Sequence, residues 1–335
     1  MKKPSGYEKT LEIIKGTREL SPADAIPILV ECAKKCFPLA SEKAVQVLGR
    51  LNHPEIITAL IDLYNWIEQD AHKRDRSCSV RIAIAEAMGD IASPFAIDTL
   101  RRAIRTVQIT RLGPGPEDVA IGLRATAAIA LAKVDDSCLF ELSILLFDEE
   151  PAIPTSPRDR MFVKAPVRKA AAQALNILGD PGGMNILAIK LKFPQGETEE
   201  VLAECLESLI PMRPPYLMEV VKPYLNHENT YLASITALAL AENLGAEVLP
   251  LLHETLASVG NDAKETLVIA IAATRAENTR SVLLELLESN NNYVRLGAVK
   301  GIKAYMDNEI RERLQIISET DANAEIRKEA GLEIC

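Results

Sequence analysis

The chain has 335 residues, a formal net charge of −9, and 48% apolar but only 4% aromatic residues. No charge-free apolar run reaches the roughly eighteen residues that a membrane span needs, and the start, MKKPSGYEKTLEIIKG, carries two lysines with no signal-length apolar stretch behind them. A cytoplasmic protein is expected, with no membrane partner. General nucleic-acid binding is a poor fit to an acidic chain with one tryptophan.

Residues 7–38 read as an N-terminal pair of capping helices. The second starts at SPAD, where Ser21 and Asp24 have capping-box spacing around Pro22. Cys32 and Cys36 are spaced i, i+4, which would place both on this helix. With no further ligand nearby they read as small buried side chains, not a metal site. The six cysteines contain no CxxC pair and fit free thiols in a reducing compartment.

From residue 38 onward one unit recurs. In VRIAIAEAMG, Val80, Ile84, Met88 and Ile91 share a helical face that Ala83 and Ala87 widen, and Gly89 relaxes the helix end. Ser93 then reads as N-cap of a second helix, with Pro94 at its first position. Related starts fall at 40, 80, 123, 167, 201, 231, 265, 294 and 326, including LRATAAIALA, VRKAAAQALN and VRLGAVKGIK. A hairpin this small cannot bury both its faces, so it stacks on its neighbours. The expected fold is all-α, an α-α superhelix of about nine stacked hairpins, forming one elongated domain over 1–335. The arginines that recur at the second position (Arg81, Arg124, Arg168, Arg295 and Arg327) read as a structural ladder, because a ligand-binding arginine is needed once or twice, not in every repeat.

The alanine-rich helix opening on Val-Arg, its small last residue, and the following D-P or S-P resemble HEAT repeats over roughly 38–335. The shorter copies are similar to the subtype also found in phycobilisome bilin lyases. The resemblance implies a HEAT-repeat solenoid and a non-enzymatic scaffold or adaptor that binds another protein. Its alternatives are a bilin lyase-like or chaperone-like subunit acting on a tetrapyrrole-carrying protein and, behind that, a HEAT-like nucleic-acid binder.

Three repeats are longer than the rest, with inserts near 65–79, 106–120 and 148–166 that the repeat phase lines up along one edge. Pro151, Pro154, Pro157 and Pro166 are expected to keep the third insert non-helical. The edge carries Tyr64 and Trp66, then His72, Lys73, Arg74 and Arg76. Arg101, Arg102 and Arg105 lead into the second insert, followed by Arg111 and by Arg158, Arg160 and Lys164. These residue types dominate binding hot spots. Two readings stand: a partner-binding ridge, or solvated loops whose charges pair with Asp70, Asp75, Glu149, Glu150 and Asp159. Residues 195–335 hold 12 basic against 23 acidic residues and form a second candidate surface, for a basic partner.

No catalytic constellation stands out. The four histidines (His53, His72, His227 and His253) form no HExxH, and there is no G-x-S-x-G elbow and no P-loop. The His-Glu motifs that hold two irons in deoxyhypusine hydroxylase are matched only by His227-Glu228 and His253-Glu254, at non-equivalent repeat positions. No metal or cofactor is expected.

Overall fold

A computed structural model describes residues 5–111, 115–148 and 165–331. The chain divides into two compact units, residues 1–186 and 187–335.

The first unit opens with α1 (Gly6–Gly16) and α2 (Pro22–Ala33). Ser21 caps α2 as its spacing predicts: its hydroxyl accepts the Asp24 amide at 3.3 Å and donates to the Asp24 carboxylate at 2.6 Å. Helix α2 stops at Ala33, and Cys36 lies beyond it in a left-handed conformation with φ 57°. The expectation of both cysteines on one helix therefore fails. Cys32 is buried against the core and Cys36 is exposed.

The repeats follow. They are α3 (Pro38–Leu48) with α4 (Ile56–Glu68), the single turn α5 (Ala71–Arg74), and α6 (Ser79–Ile91) with α7 (Ile97–Ala103). A two-residue ladder comes next, β1 (Ile109–Thr110) pairing antiparallel with β2 (Glu117–Asp118). Then come α8 (Ile121–Val134) with α9 (Leu139–Phe147), and α10 (Pro166–Leu178) with α11 (Pro181–Lys192). The alanine-rich first helices stack in series, α3 on α6, α6 on α8 and α8 on α10.

Small residues set the helix spacing. A Cβ placed on Gly89 would lie 2.7 Å from the Ala130 Cβ, closer than two carbons can approach. Gly89 thus serves the α6–α8 contact and does not end α6, which runs on to Ile91 and closes at Ala92 with φ 53°. Ser93 makes no side-chain cap either, since Pro94–Ala96 form a 3-10 turn before α7 begins. Pro166 opens α10 at its first turn, where a missing N–H costs nothing, instead of prolonging the third insert.

The second unit holds α12 (Glu199–Met212), α13 (Leu217–Leu225), α14 (Thr230–Leu244), α15 (Leu249–Thr255), α16 (Asn261–Ala273), α17 (Thr279–Leu286), α18 (Asn292–Ile302), α19 (Asn308–Thr320) and α20 (Ala324–Gly331). Its first helices also stack in series, from α12 through α14, α16 and α18 to α20. Thr230–Thr255 is apolar enough to span a membrane, with mean hydropathy 1.4. It is instead a hairpin that folds back at Gly245 (φ 56°), and α14 packs on both α12 and α16.

First helices are capped by side chains in two ways. At α14 and α18 a local Asn does the work: the Asn229 and Asn291 carboxamides accept the amides of Tyr231 and Tyr293, each at 3.0 Å. At α6 and α8 an insert aspartate reaches in. Asp75 accepts the amides of Val80 and Arg81 at 3.2 and 3.0 Å, and Asp118 accepts that of Ala120 at 3.0 Å.

Candidate protein-binding surface

The first two inserts are built structures joined to each other. Gln108 is buried, and its side-chain amide donates to the backbone carbonyls of Asp75 and Arg76 at 3.0 and 3.1 Å. Arg76 reaches the other way, donating to the Arg111 carbonyl at 2.7 Å and to the Thr110 hydroxyl at 3.4 Å. The repeat phase thus does align these two inserts side by side. Among the third insert's candidates, Arg158, Arg160 and Lys164 lie outside the described residues, as do Glu149, Glu150 and Asp159.

Beneath the inserts the repeat arginines form the expected ladder. Arg81 is 2% exposed, pairs with Asp75 at 3.2 Å, and donates to Cys78 Sγ at 2.8 Å and to the Gln108 side chain. Arg124 is similarly buried, pairing with Asp118 at 2.6 Å and donating to the Thr106 carbonyl at 2.9 Å. Arg168 donates to the Asp148 carbonyl, Arg295 pairs with Asp321 at 2.9 Å, and Arg327 donates to the Asp321 carbonyl at 2.6 Å. Buried charges persist only when paired and hydrogen-bonded, as Arg81 and Arg124 are; Arg168, Arg295 and Arg327 are half-buried. Burial beside this network also pushes the Cys78 thiol up to about 12, so it stays protonated.

The candidate surface residues separate by their partners. Tyr64 is a correction: at 1% exposure it belongs to the core, because α4 turns Leu60, Tyr64 and Ile67 to the same inner side. Burial raises its phenol pKa, with Thr106 and nearby arginines opposing. Trp66 is half-buried, with the Arg74 guanidinium over its ring at 4.3 Å and the Lys34 ammonium at 5.9 Å. Arg74 also donates to the Trp66 carbonyl and to Gln69. Two arginines are neutralised by neighbouring repeats. Arg101 lies 2.8 Å from Asp135 and 3.3 Å from Glu141, and Arg102 lies 3.2 Å from Glu68 while donating to Asn65 at 2.6 Å. Lys73 holds only an exposed pair with Asp70 at 3.2 Å. Among the described residues Arg74, Arg76, Arg105 and Arg111 face no carboxylate.

Of the partners that the pairing reading names, only Asp70 is met, by Lys73; Arg101 and Arg102 pair instead with carboxylates of neighbouring hairpins, and four arginines are left over among the described residues. The insert aspartates that could have balanced them, Asp75 and Asp118, are buried and committed to Arg81 and Arg124.

Elsewhere the geometry offers little chemistry. Among the described residues no group of three or more His, Cys, Asp or Glu could hold a metal ion. His227 stacks on Tyr224 at 5.7 Å, with its Nδ1 accepting the Asn229 amide, while His253 sits within α15. A groove of about 310 Å³ between α6 and α8 is lined by Glu86, Asp90 and Lys133, of which the last two pair with each other at 3.2 Å.

No family model matches the chain, and no curated protein does. Among solved structures it is similar to Kap121p, a HEAT-repeat protein, in its crystal structure bound to Nup53p. The identity is 13% and the TM-score 0.52, over 98% of this chain and 41% of that chain, so this chain spans less than half the length of its structural neighbour. A likeness at that identity is one of fold. The chain is an all-α helical-repeat solenoid.

Proposed function

We propose that this chain is a non-enzymatic protein-binding scaffold or adaptor of the HEAT type, acting in the cytoplasm through the joined inserts of its first unit. One observation carries the reading: two inserts that most repeats lack are locked together by Gln108 and Arg76, and they leave Arg74, Arg76, Arg105 and Arg111 without carboxylate partners among the described residues. A loop kept only for connection needs neither the lock nor the uncompensated charge. The neighbouring solved structure, a helical solenoid crystallised with a bound protein, supports the same class of task.

The test is a hydrogen-exchange footprint of the full chain with a protein partner recovered by crosslinking in its own cells. Protection is expected over residues 66–76 and 101–111. Trp66→Ala with Arg74→Ala should weaken the complex about tenfold or more with an unchanged helical circular-dichroism spectrum, as expected for an aromatic–arginine anchor. Protection confined to residues 187–335, or an unweakened double variant, would move the interface off the inserts.

A further inference from the structure

The segment that carries the second insert away from α7, RTVQITR (105–111), is inside-out. Arg105, Val107, Ile109 and Arg111 are exposed, while Gln108 and Thr110 are buried and Thr106 is half-buried. Arg105 and Thr106 close the turn after α7, their amides donating to the Arg102 and Ala103 carbonyls at 3.1 Å each, and from Val107 on the alternation is that of extended chain, whose one buried side normally takes the apolar set. Here the polar set went in. Gln108 is held by Asp75, Arg76 and Arg81, and Thr110 by Arg76, so the register is fixed by hydrogen bonds. A one-residue slip would bury the apolar pair and break all of these. Val107 and Ile109 are left 55% and 43% exposed between two arginines that no described carboxylate neutralises.

We infer that Arg105, Val107, Ile109 and Arg111 form a docking row for an acidic protein segment that sets one or two aliphatic side chains between carboxylates. This rests on the scaffold reading above and names the chemistry of its partner. Charge decides the partner's sign: neither Arg105 nor Arg111 has a described carboxylate partner, Arg76, which has none either, holds the same segment from its Thr110 side, and Glu117 is the exposed carboxylate on the paired strand. Aliphatic residues between the arginines favour a protein over a nucleic acid, whose unpaired bases are held by stacking on flat rings. One edge of the extended segment is already occupied, with the Val119 amide donating to the Gln108 carbonyl at 3.0 Å.

The test pans a displayed library of random heptapeptides against the immobilised full-length chain and measures the winners by fluorescence polarisation. The winners should carry Asp or Glu around an aliphatic residue. They should bind at least tenfold more weakly to Val107→Thr/Ile109→Thr and to Arg105→Glu/Arg111→Glu. All four positions are exposed and threonine keeps the extended preference, so both variants should melt with the wild type. The inference is overturned if no peptide is enriched, if the winners are basic, or if they bind both variants as well as the wild type. It is equally overturned if oligothymidylate binds the row with a steep salt dependence, which would make this a nucleic-acid surface. A protein partner footprinted elsewhere on the chain would sink the docking row and leave the scaffold reading standing. Acidic peptides bound at the row with no protein partner recovered from cells would do the reverse.

Discussion

Removing the Asp75 carboxylate tests whether the inserts are part of the solenoid or draped over it. In Asp75→Ala, the Arg81 guanidinium, 2% exposed, loses the one carboxylate it pairs with among the described residues, and the amides of Val80 and Arg81 at the start of α6 lose their acceptor. Orphaning one member of a buried pair costs about 3–5 kcal/mol. For a unit the size of residues 1–186, that corresponds to a melting temperature lower by on the order of 10 °C. The exposed Lys73–Asp70 pair, with Lys73 84% exposed, is the internal standard, and Lys73→Ala should cost about 0–1 kcal/mol. Calorimetry gives both numbers, and hydrogen exchange should show the loss of protection centred on the amides of residues 80–84. Combining Asp75→Ala with Arg81→Met should recover much of the loss, because the uncompensated charge is gone. An Asp75→Ala variant that melts with Lys73→Ala, or a double variant worse than either single one, would refute the view that these inserts are anchored by a buried ion pair.

Three further outcomes follow from the packing and the titrations. Gly89→Val should destabilise by about 1–3 kcal/mol, since its Cβ has no room against Ala130, whereas Gly16→Ala should be neutral or stabilising by up to about 1 kcal/mol because nothing lies within 4 Å; paired thermal melts decide. The Arg295 guanidinium and the Asn323 amide hold the Asp321 carboxyl below its ordinary 3.8, so its contribution is present at neutral pH and is lost as pH falls from about 4 through the lowered value. The stability gap between wild type and Asp321→Asn should therefore be full above about pH 5 and close in acid, and a gap that persisted unchanged in acid would contradict the pairing. Burial pushes the Cys78 and Cys138 thiols up to about 12 and raises that of Cys205 as well. Among the described cysteines, iodoacetamide at neutral pH should thus label Cys36 well before these three, as peptide mapping would show.

The repeat was legible because one physical need, a helix flat enough to stack on its copy, leaves one signature. Starts read at 80, 167 and 294 fall within two residues of the observed helices at Ser79, Pro166 and Asn292. The ladder role of Arg81, Arg124, Arg295 and Arg327 was equally legible, since an arginine repeated in phase has to be satisfied in phase. Tyr64 was misjudged because its neighbourhood in sequence, the edge of an insert, differs from its place on α4, where helical spacing puts it beside Leu60 and Ile67. Helix ends were the other weak point. Gly89 reads as a terminator by composition, yet its role is set by Ala130 on the next helix.

What the ridge lacked in sequence was its accounting of charge. Arg102 meets Glu68, and Arg76 meets Thr110, each thirty-four positions away on the neighbouring hairpin or insert. Scanning the inserts for cations found all of them. What separates Arg101 and Arg102, which hold neighbouring hairpins together, from Arg105 and Arg111, which do not, is the carboxylates that the fold brings to the first two. In a helical chain an isolated period of two is easily read as a turn, and its polarity can be judged only once Asp75 and Arg81 are known to claim Gln108. Arg101, Arg102 and Lys133 are committed to carboxylates of neighbouring hairpins, whereas Arg105 and Arg111 are not. Those two border Val107 and Ile109, aliphatic side chains that the fold itself holds outside.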